Sequence, residues 1–243
     1  MNYRRQLFKY IDADGAMRML SNATLQFTNP CDFNDPFDCH PSLIDFSLGT
    51  SQRYGEVVLD NVRKKYEEQH CRLRSNTWVC SLSKINDSLL MWSHYADNHK
   101  GVCVELNMYH VMGCLVNPRY GRIIHNVGVE VQYRDIIERP KYFKKEKDFV
   151  NYQIATKSKD WEYEQEWRLY IVDPLHCYMR KNRVYPKLSG ECFEAIYLGV
   201  QMSEGDKREI IRLARTLNNN IKICQMGINT DAFKLDVSKV GES

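Results

Sequence analysis

Along the chain the apolar positions switch between the two-residue period of strands and the wider spacing of helices. Leu7-Phe8-Lys9-Tyr10-Ile11 predicts a short strand, Asp14 to Asn22 a helix carrying Met17, Met19 and Leu20, and Thr24-Leu25-Gln26-Phe27-Thr28 a second strand stopped by Asn29-Pro30. Between Gly55 and Arg74, Val57, Val58, Val62 and Tyr66 recur at helical spacing and predict an amphipathic surface helix. Trp78 to Ser83 predicts a strand that runs into a polar turn. Asp87 or Ser88 is placed to cap a helix burying Leu89, Trp92 and Tyr95 and ending at Gly101, before a strand at Val102 to Leu106.

The second half continues in the same way. Val127 to Tyr133 alternates as a strand, Phe149 to Lys157 predicts a helix, and Glu194 to Gly199 a buried strand. Ser203 with Asp206 three residues on has the capping-box pattern, and Ile210, Ile211, Leu213, Ala214 and Leu217 supply the stripe of the helix that follows. Ile221 to Met226 and Phe233 to Val237 close the chain as strands. No repeat or low-complexity tract interrupts this order, so one α+β domain over residues 1–238, with mostly antiparallel strands, inserted helices and a short flexible tail at 239–243, is the expected organisation.

One segment breaks the pattern of apolar-in, polar-out. Trp161-Glu162-Tyr163-Glu164-Gln165-Glu166-Trp167-Arg168-Leu169-Tyr170, read as a strand, lines Glu162, Glu164, Glu166 and Arg168 along one face and turns Tyr163, Trp167 and Leu169 inward. Like charges so placed cost roughly 0.2–1 kcal/mol per pair unless a cation, cleft or substrate compensates. A solvated edge strand is the plain alternative.

Composition narrows the classes. The 243 residues hold 34 basic and 31 acidic side chains, a net charge of +3 that gives no global field for nucleic acid. Local basic clusters stand at Arg63-Lys64-Lys65, at 141–147 beside Tyr142 and Phe143, and at Arg180-Lys181-Asn182-Arg183 beside Tyr178 and Tyr185. These read either as solvated faces or as a single-strand groove. Nine cysteines with no C-x-x-C fit a reducing compartment, and the spacing of Cys31, Cys39 and His40 matches no standard zinc pattern. The two arginines at Arg4 and Arg5 are followed by no apolar leader, and no stretch approaches a membrane span, so a cytoplasmic protein making no membrane contact is expected. His94 and His99 are five apart and do not share a helix face as a metal pair would; phosphate-loop, dinucleotide-turn and nucleophile-elbow motifs are missing. No metal is expected.

The segments Leu7-Phe8-Lys9-Tyr10, Phe33-Asn34-Asp35-Pro36-Phe37, Ser81-Leu82-Ser83, the run from Leu90 to Gly101 and Trp161 to Arg168 resemble, in this order, a widespread bacterial family of uncharacterised function, itself similar to divergent ADP-ribosyltransferases. The resemblance implies a split antiparallel sheet whose cleft takes NAD as substrate. It implies cofactor contacts from Lys9 and Tyr10, where such enzymes typically carry His or Arg, and a nicotinamide pocket shaped by Ser81 and Ser83 with Trp92 and Tyr95 adjoining. Glu166 would bond the nicotinamide ribose and stabilise the departing bond, Glu164 would orient or deprotonate the acceptor, and Arg168 would balance charge or hold a phosphate. For Arg168 the alternative is an ion pair with Glu166 or Asp160. Asn34 and Asp35 are expected beside the cleft, against the alternative of a plain Asx turn.

The implied activity is cleavage of the nicotinamide N-glycosidic bond with transfer of ADP-ribose to a protein or nucleic-acid acceptor. A toxin or anti-phage effector, with an antitoxin or defence-system partner, is the implied setting. An NAD glycohydrolase and a non-catalytic nucleic-acid or protein-binding module stand as alternatives, with a magnesium nuclease behind them.

Overall fold

Asp12 ends the first strand and starts the first helix: extended itself, it accepts a hydrogen bond from the Gly15 amide at 2.5 Å. The computed structural model describes residues 6–47, 56–116, 126–144, 148–172 and 182–240. Strand β1 (Gln6–Ile11) leads into helix α1 (Ala13–Asn22), which stops at Ala23 in the left-handed region (φ 47°), and then into the two-residue β2 (Phe27–Thr28). Helix α2 (Glu56–Ser75) precedes β3 (Thr77–Ser83), and α3 (Leu89–Tyr95), capped by Ser88, precedes β4 (Val102–Asn107). On α2, Arg63 and Lys64 pair with Asp60, so that basic cluster is a solvated face.

Helix α4 (Met108–Val116) follows β4 directly, an element absent from the sequence-based expectation; its apolar run Val111, Cys114 and Leu115 packs into the core. The predicted strand at 127–133 divides into β5 (Asn126–Glu130) and β6 (Gln132–Arg134), because Val131 turns its amide to the Glu166 carbonyl. Helix α5 (Phe149–Ala155) ends two residues short of Lys157, which instead lies in β7 (Thr156–Ser158). Then β8 (Glu166–Val172), β9 (Arg183–Val184), β10 (Phe193–Leu198), α6 (Glu204–Leu217), β11 (Lys222–Ile228) and β12 (Leu235–Lys239) complete the chain. Lys239 is thus still in a strand, one residue into the tail drawn from sequence.

Ten strands form one sheet in the order β12-β11-β10-β4-β1-β3-β2-β9, with β8 and β5 continuing from the other edge of β3; β6 and β7 pair apart from it. The sheet is mixed rather than wholly antiparallel. β10 and β11 run parallel, since α6 crosses between them and returns the chain in the same direction. Leu7, Val104, Leu106, Ile196 and Leu198 bury one face of the sheet beneath α1, α4 and α6, while Tyr10, Cys103 and Met226 bury the other against Trp92 of α3. Full burial of one such apolar side chain stabilises by about 1.5–3 kcal/mol.

The decisive feature is where the sheet opens. β1 pairs with β4 along its whole length, yet meets β3 only at Phe8 opposite Ser83. Past that point β3 pairs with β8 on one side and at Val79 with Thr28 of β2 on the other, so β1 and β3 diverge. Lys9 spans the gap, its ammonium donating to the Ser81 carbonyl at 3.0 Å.

The turn closing α3 packs backbone against backbone. Asp97, Asn98 and His99 all take positive φ, and a Cβ on Gly199 would lie 2.2 Å from the His99 carbonyl oxygen. Gly199→Ala is therefore expected to cost about 1–3 kcal/mol through overpacking; an unchanged urea midpoint would refute that close approach. Among the described residues no helix is long and apolar enough to cross a membrane, and the described cysteines are free thiols.

Candidate functional site

At the divergence of β1 and β3 lies a cleft of roughly 640 Å³ counted to its open mouth. β1 contributes Phe8, Lys9 and Tyr10; the loop after β2 contributes Phe33, Asn34 and Asp38; β3 contributes Ser81, Leu82 and Ser83. Met91 and Tyr95 of α3 form a wall, and Lys157, Glu164 and Glu166 form the floor.

The acidic segment does not reach this floor as one strand. Ser158 caps a short 3-10 helix over Lys159–Glu164 by accepting from the Asp160 amide, and Gln165 then takes the left-handed conformation (φ 44°, ψ 53°) before β8 begins at Glu166. Helical turns cannot hold the two-residue alternation, so Glu162 points to solvent and only Glu164 and Glu166 converge. The Ser158–Asp160 spacing was the signal for this cap. A non-glycine residue in that region costs on the order of 1–2 kcal/mol, and two backbone bonds hold Gln165 there: its amide to the Glu162 carbonyl, and its carbonyl to the Lys84 amide.

Arg168 anchors the floor from behind. It is fully buried, and all five of its N–H donors are used: Nε and Nη2 on Glu166 at 2.8 and 2.9 Å, Nη1 and Nη2 on Asp38 at 2.6 Å each, and Nη1 on the Ile154 carbonyl at 2.7 Å. Nothing is left for a phosphate, which corrects that part of the expectation for Arg168; the ion pair with Glu166 is what forms, with Asp38 rather than Asp160 as second partner. Lys157, buried beside it, donates to Glu164 at 2.5 Å and to Glu166 at 3.2 Å.

These contacts drive the two glutamates apart electrostatically. Burial alone would raise the Glu166 pKa, but Arg168, then Lys157, with a hydrogen bond from Ser81, hold it well below the usual carboxylate range. At Glu164 burial dominates: opposed by Lys157 but reinforced by the charge of Glu166, it pushes the carboxyl above its usual value. Tyr95 donates to the Glu164 Oε1 at 2.5 Å, and its own phenol is raised by burial and by that bond. Lys157 would be lowered by burial, yet Glu166 and Glu164 carry it to a net increase.

Of the residues singled out from sequence, Lys9, Tyr10, Asn34, Ser81, Ser83, Tyr95, Glu164 and Glu166 all meet at the cleft. Ser83 is a strut there, donating to the Glu164 carbonyl at 2.7 Å, and the Tyr10 hydroxyl donates to the Ile85 carbonyl at 3.0 Å. Trp92 is not at the cleft surface. It is fully buried, donates to the Asn86 carbonyl and packs edge-on against Tyr10, backing the wall. Asp35 turns inward and makes the Asx bond to the Phe37 amide at 2.9 Å. Arg168 lies one layer deeper than the lining.

Sequence reasoning missed Asp38 and Lys157. Asp38 sits at the end of the Phe-Asn-Asp-Pro-Phe-Asp loop that also holds Asn34 and Asp35, and the sequence pattern puts Lys157 at a helix end. Neither has a local signal: the partner of Asp38, Arg168, is distant in sequence, and the partners of Lys157, Glu164 and Glu166, lie on other elements. Of the predicted basic clusters, 145–147 and Tyr178, Arg180 and Lys181 lie outside the described residues. Tyr142 packs against Phe46, Tyr66 and Phe149 rather than offering an open ring. Among the described residues no group of three or more His, Cys, Asp or Glu is arranged to hold a metal ion.

Residues 91–169 match the family described as Protein of unknown function (DUF2971). That stretch is roughly a third of the chain and carries Tyr95, Lys157, Glu164, Glu166 and Arg168, the wall and floor of the cleft; β1, the Asn34 loop and β3 fall outside it. Comparison with curated proteins and with solved structures gives no match.

Proposed function

We propose that the cleft binds NAD, breaks its nicotinamide N-glycosidic bond and passes ADP-ribose to a macromolecular acceptor. The observation that carries this reading is the pair of adjacent carboxylates with opposite protonation tendencies at the floor of a split-sheet cleft. Such a division is how one site holds a fixed anion and a proton acceptor together.

When the bond breaks, its electron pair leaves with nicotinamide and positive charge builds on the ribosyl carbon. Asp38, Glu164 and Glu166 against Lys157 and Arg168 leave one formal negative charge on the floor to meet it. Glu166 accepts from Arg168 twice and from Lys157, which holds its carboxylate in place. It therefore acts through its charge, held in place and requiring no reorganisation. Among the described residues Glu164 accepts from Tyr95 and Lys157, which leaves it capacity for a hydroxyl of the acceptor and the proton that hydroxyl loses. Lys9, which also donates to the Ser81 carbonyl, and the exposed Asn34 would meet the polar parts of the dinucleotide.

The test is to incubate the purified protein with NAD labelled in its adenylate portion and a cell lysate, and to follow nicotinamide release and macromolecular label together. Release with label supports a transferase; release without label makes water the acceptor and the protein a glycohydrolase. No release from folded protein at any acceptor condition rejects the reading. The same assay carries a pH prediction. Because burial raises Glu164, nicotinamide release should rise with pH through a midpoint above the usual carboxylate range, and Glu164→Gln should abolish that acidic limb. A limb that persists unchanged in the variant would remove Glu164 from the role of base.

A further inference from the structure

The sheet edge formed by β2 and β9 carries side chains that the cleft does not use. Phe27 pairs with Val184, Thr28 with Arg183, and Thr24 with Lys187, which sets Gln26 opposite Tyr185 and Leu25 opposite Pro186. The Leu25 amide duly donates to the Pro186 carbonyl at 3.1 Å. Side chains alternate across such a ribbon, and Leu25, Phe27 and Val184 go into the core. The other face is Thr24, Gln26 and Thr28 beside Arg183, Tyr185 and Lys187. Gln26 donates to the Thr28 hydroxyl at 3.1 Å, as neighbours on one face do.

Helix α1 flanks this face with Arg18 and Asn22, and between helix and ribbon lies a recess of roughly 900 Å³ counted to its mouth. Arg18, Arg183 and Lys187 give the face three cations, and the described residues lining the recess include no carboxylate. Lys187 is fixed by its bond to the Asn22 carbonyl at 2.7 Å, whereas Arg18 and Arg183 are exposed. Tyr185 stands 52% exposed among them. An aromatic ring left open to water, surrounded by cations and by uncharged hydrogen-bonding groups, is complementary to bases and phosphates and poorly suited to an apolar or acidic-poor partner.

We propose that this face is a docking surface for single-stranded nucleic acid, with a base stacked on Tyr185 and phosphates against Arg18, Arg183 and Lys187. Its position links it to the cleft. β2 runs within six residues from Thr28 to Asn34 at the cleft, and pairs directly with β3, which supplies Ser81 and Ser83. Resting on the reading of the cleft as an NAD site, the surface names the acceptor class as a single-stranded nucleic acid; the binding itself does not depend on that reading.

The experiment is fluorescence anisotropy with a labelled mixed-sequence single strand of about 12 nucleotides, inside the usual footprint of such surfaces, run over a series of salt concentrations. Duplex and anionic phosphatidylserine vesicles serve as competitors. Tyr185→Ala is expected to weaken binding about tenfold or more, and Arg18→Ala and Arg183→Ala to flatten the salt dependence by roughly 0.7 in log–log slope each. Glu166→Gln should bind as the parent does. The proposal is overturned if the parent fails to bind at low salt, if all three ribbon and helix variants bind as it does, or if duplex or vesicles displace the strand at equal concentration. Nicotinamide release by the same variants keeps the two ideas separate. Binding without release defeats only the NAD reading, and release without binding defeats only this surface.

Discussion

Arg168→Met is expected to lower stability by about 3–5 kcal/mol, because it removes one partner from a buried charge cluster and leaves the others uncompensated. The size follows from the geometry. Asp38 and Glu166 are each about 3% exposed, and Arg168 gives each of them two hydrogen bonds. Without the guanidinium, Lys157 remains the nearby cation, and it is already engaged by Glu164 and Glu166 and lies 3.9 Å from Asp38. Arg168→Lys should recover little, since a single ammonium cannot reproduce a planar fork that serves two carboxylates and a carbonyl.

For a chain of this length such a loss corresponds to a fall of roughly 10 °C or more in Tm. Urea unfolding of the parent and both variants measures it, and a midpoint within error of the parent would show that the cluster contributes nothing net. The pH dependence has a definite sign. The Glu166 pKa is depressed in the folded protein, so its contribution is complete above the unfolded value near pH 4.3 and is lost as pH falls below that towards the folded one. Arg168→Met should lose that acid sensitivity. Glu164, raised on folding, contributes in the opposite direction as the solution is acidified.

Glu166→Gln should reduce nicotinamide release by about 10²–10³-fold, the usual consequence of deleting one preorganised electrostatic partner of a developing charge. The substitution preserves shape and removes charge, turning the floor from one net negative charge to neutral. It also sets an amide N–H₂ against donors from Arg168 and Lys157, so some stability is lost; retained secondary structure and a cooperative melt at the assay temperature are part of the measurement. A folded Glu166→Gln protein that releases nicotinamide at the parent rate would remove the electrostatic role. Comparing it with Glu164→Gln separates the two carboxylates: the first should lower release across the whole pH range, the second should chiefly remove the acidic limb.

The fold and the site differ in how much of each could be read from the chain. Strands β1, β3, β4 and β10 and helices α1 and α6 are visible because their apolar periodicity is local, and the cap of α6, Ser203, stands at its start; the cap of α1, Asp12, is shown by the structure, two residues before the start predicted from the pattern. The acidic segment misleads for the converse reason. A run of alternating charge scores as a strand, while the actual turn at Gln165 is held by backbone bonds to Glu162 and Lys84, the second of which comes from a distant part of the chain. Glu164 and Glu166 still share the cleft, because the left-handed residue between them brings both side chains inward by a different route.

What the sequence determined by itself is the set of local periods, the capping residues and the concentration of acidic and aromatic groups near residue 165. Tertiary structure alone decided the opening between β1 and β3, the placement of Asp38 and Lys157, the burial of Trp92 behind the wall and the consumption of every Arg168 donor. The physical reason is range. Periodicity and capping are set by residues a few positions apart, whereas a carboxylate's protonation and an arginine's freedom depend on which charges and which depth of burial the folded chain brings to them.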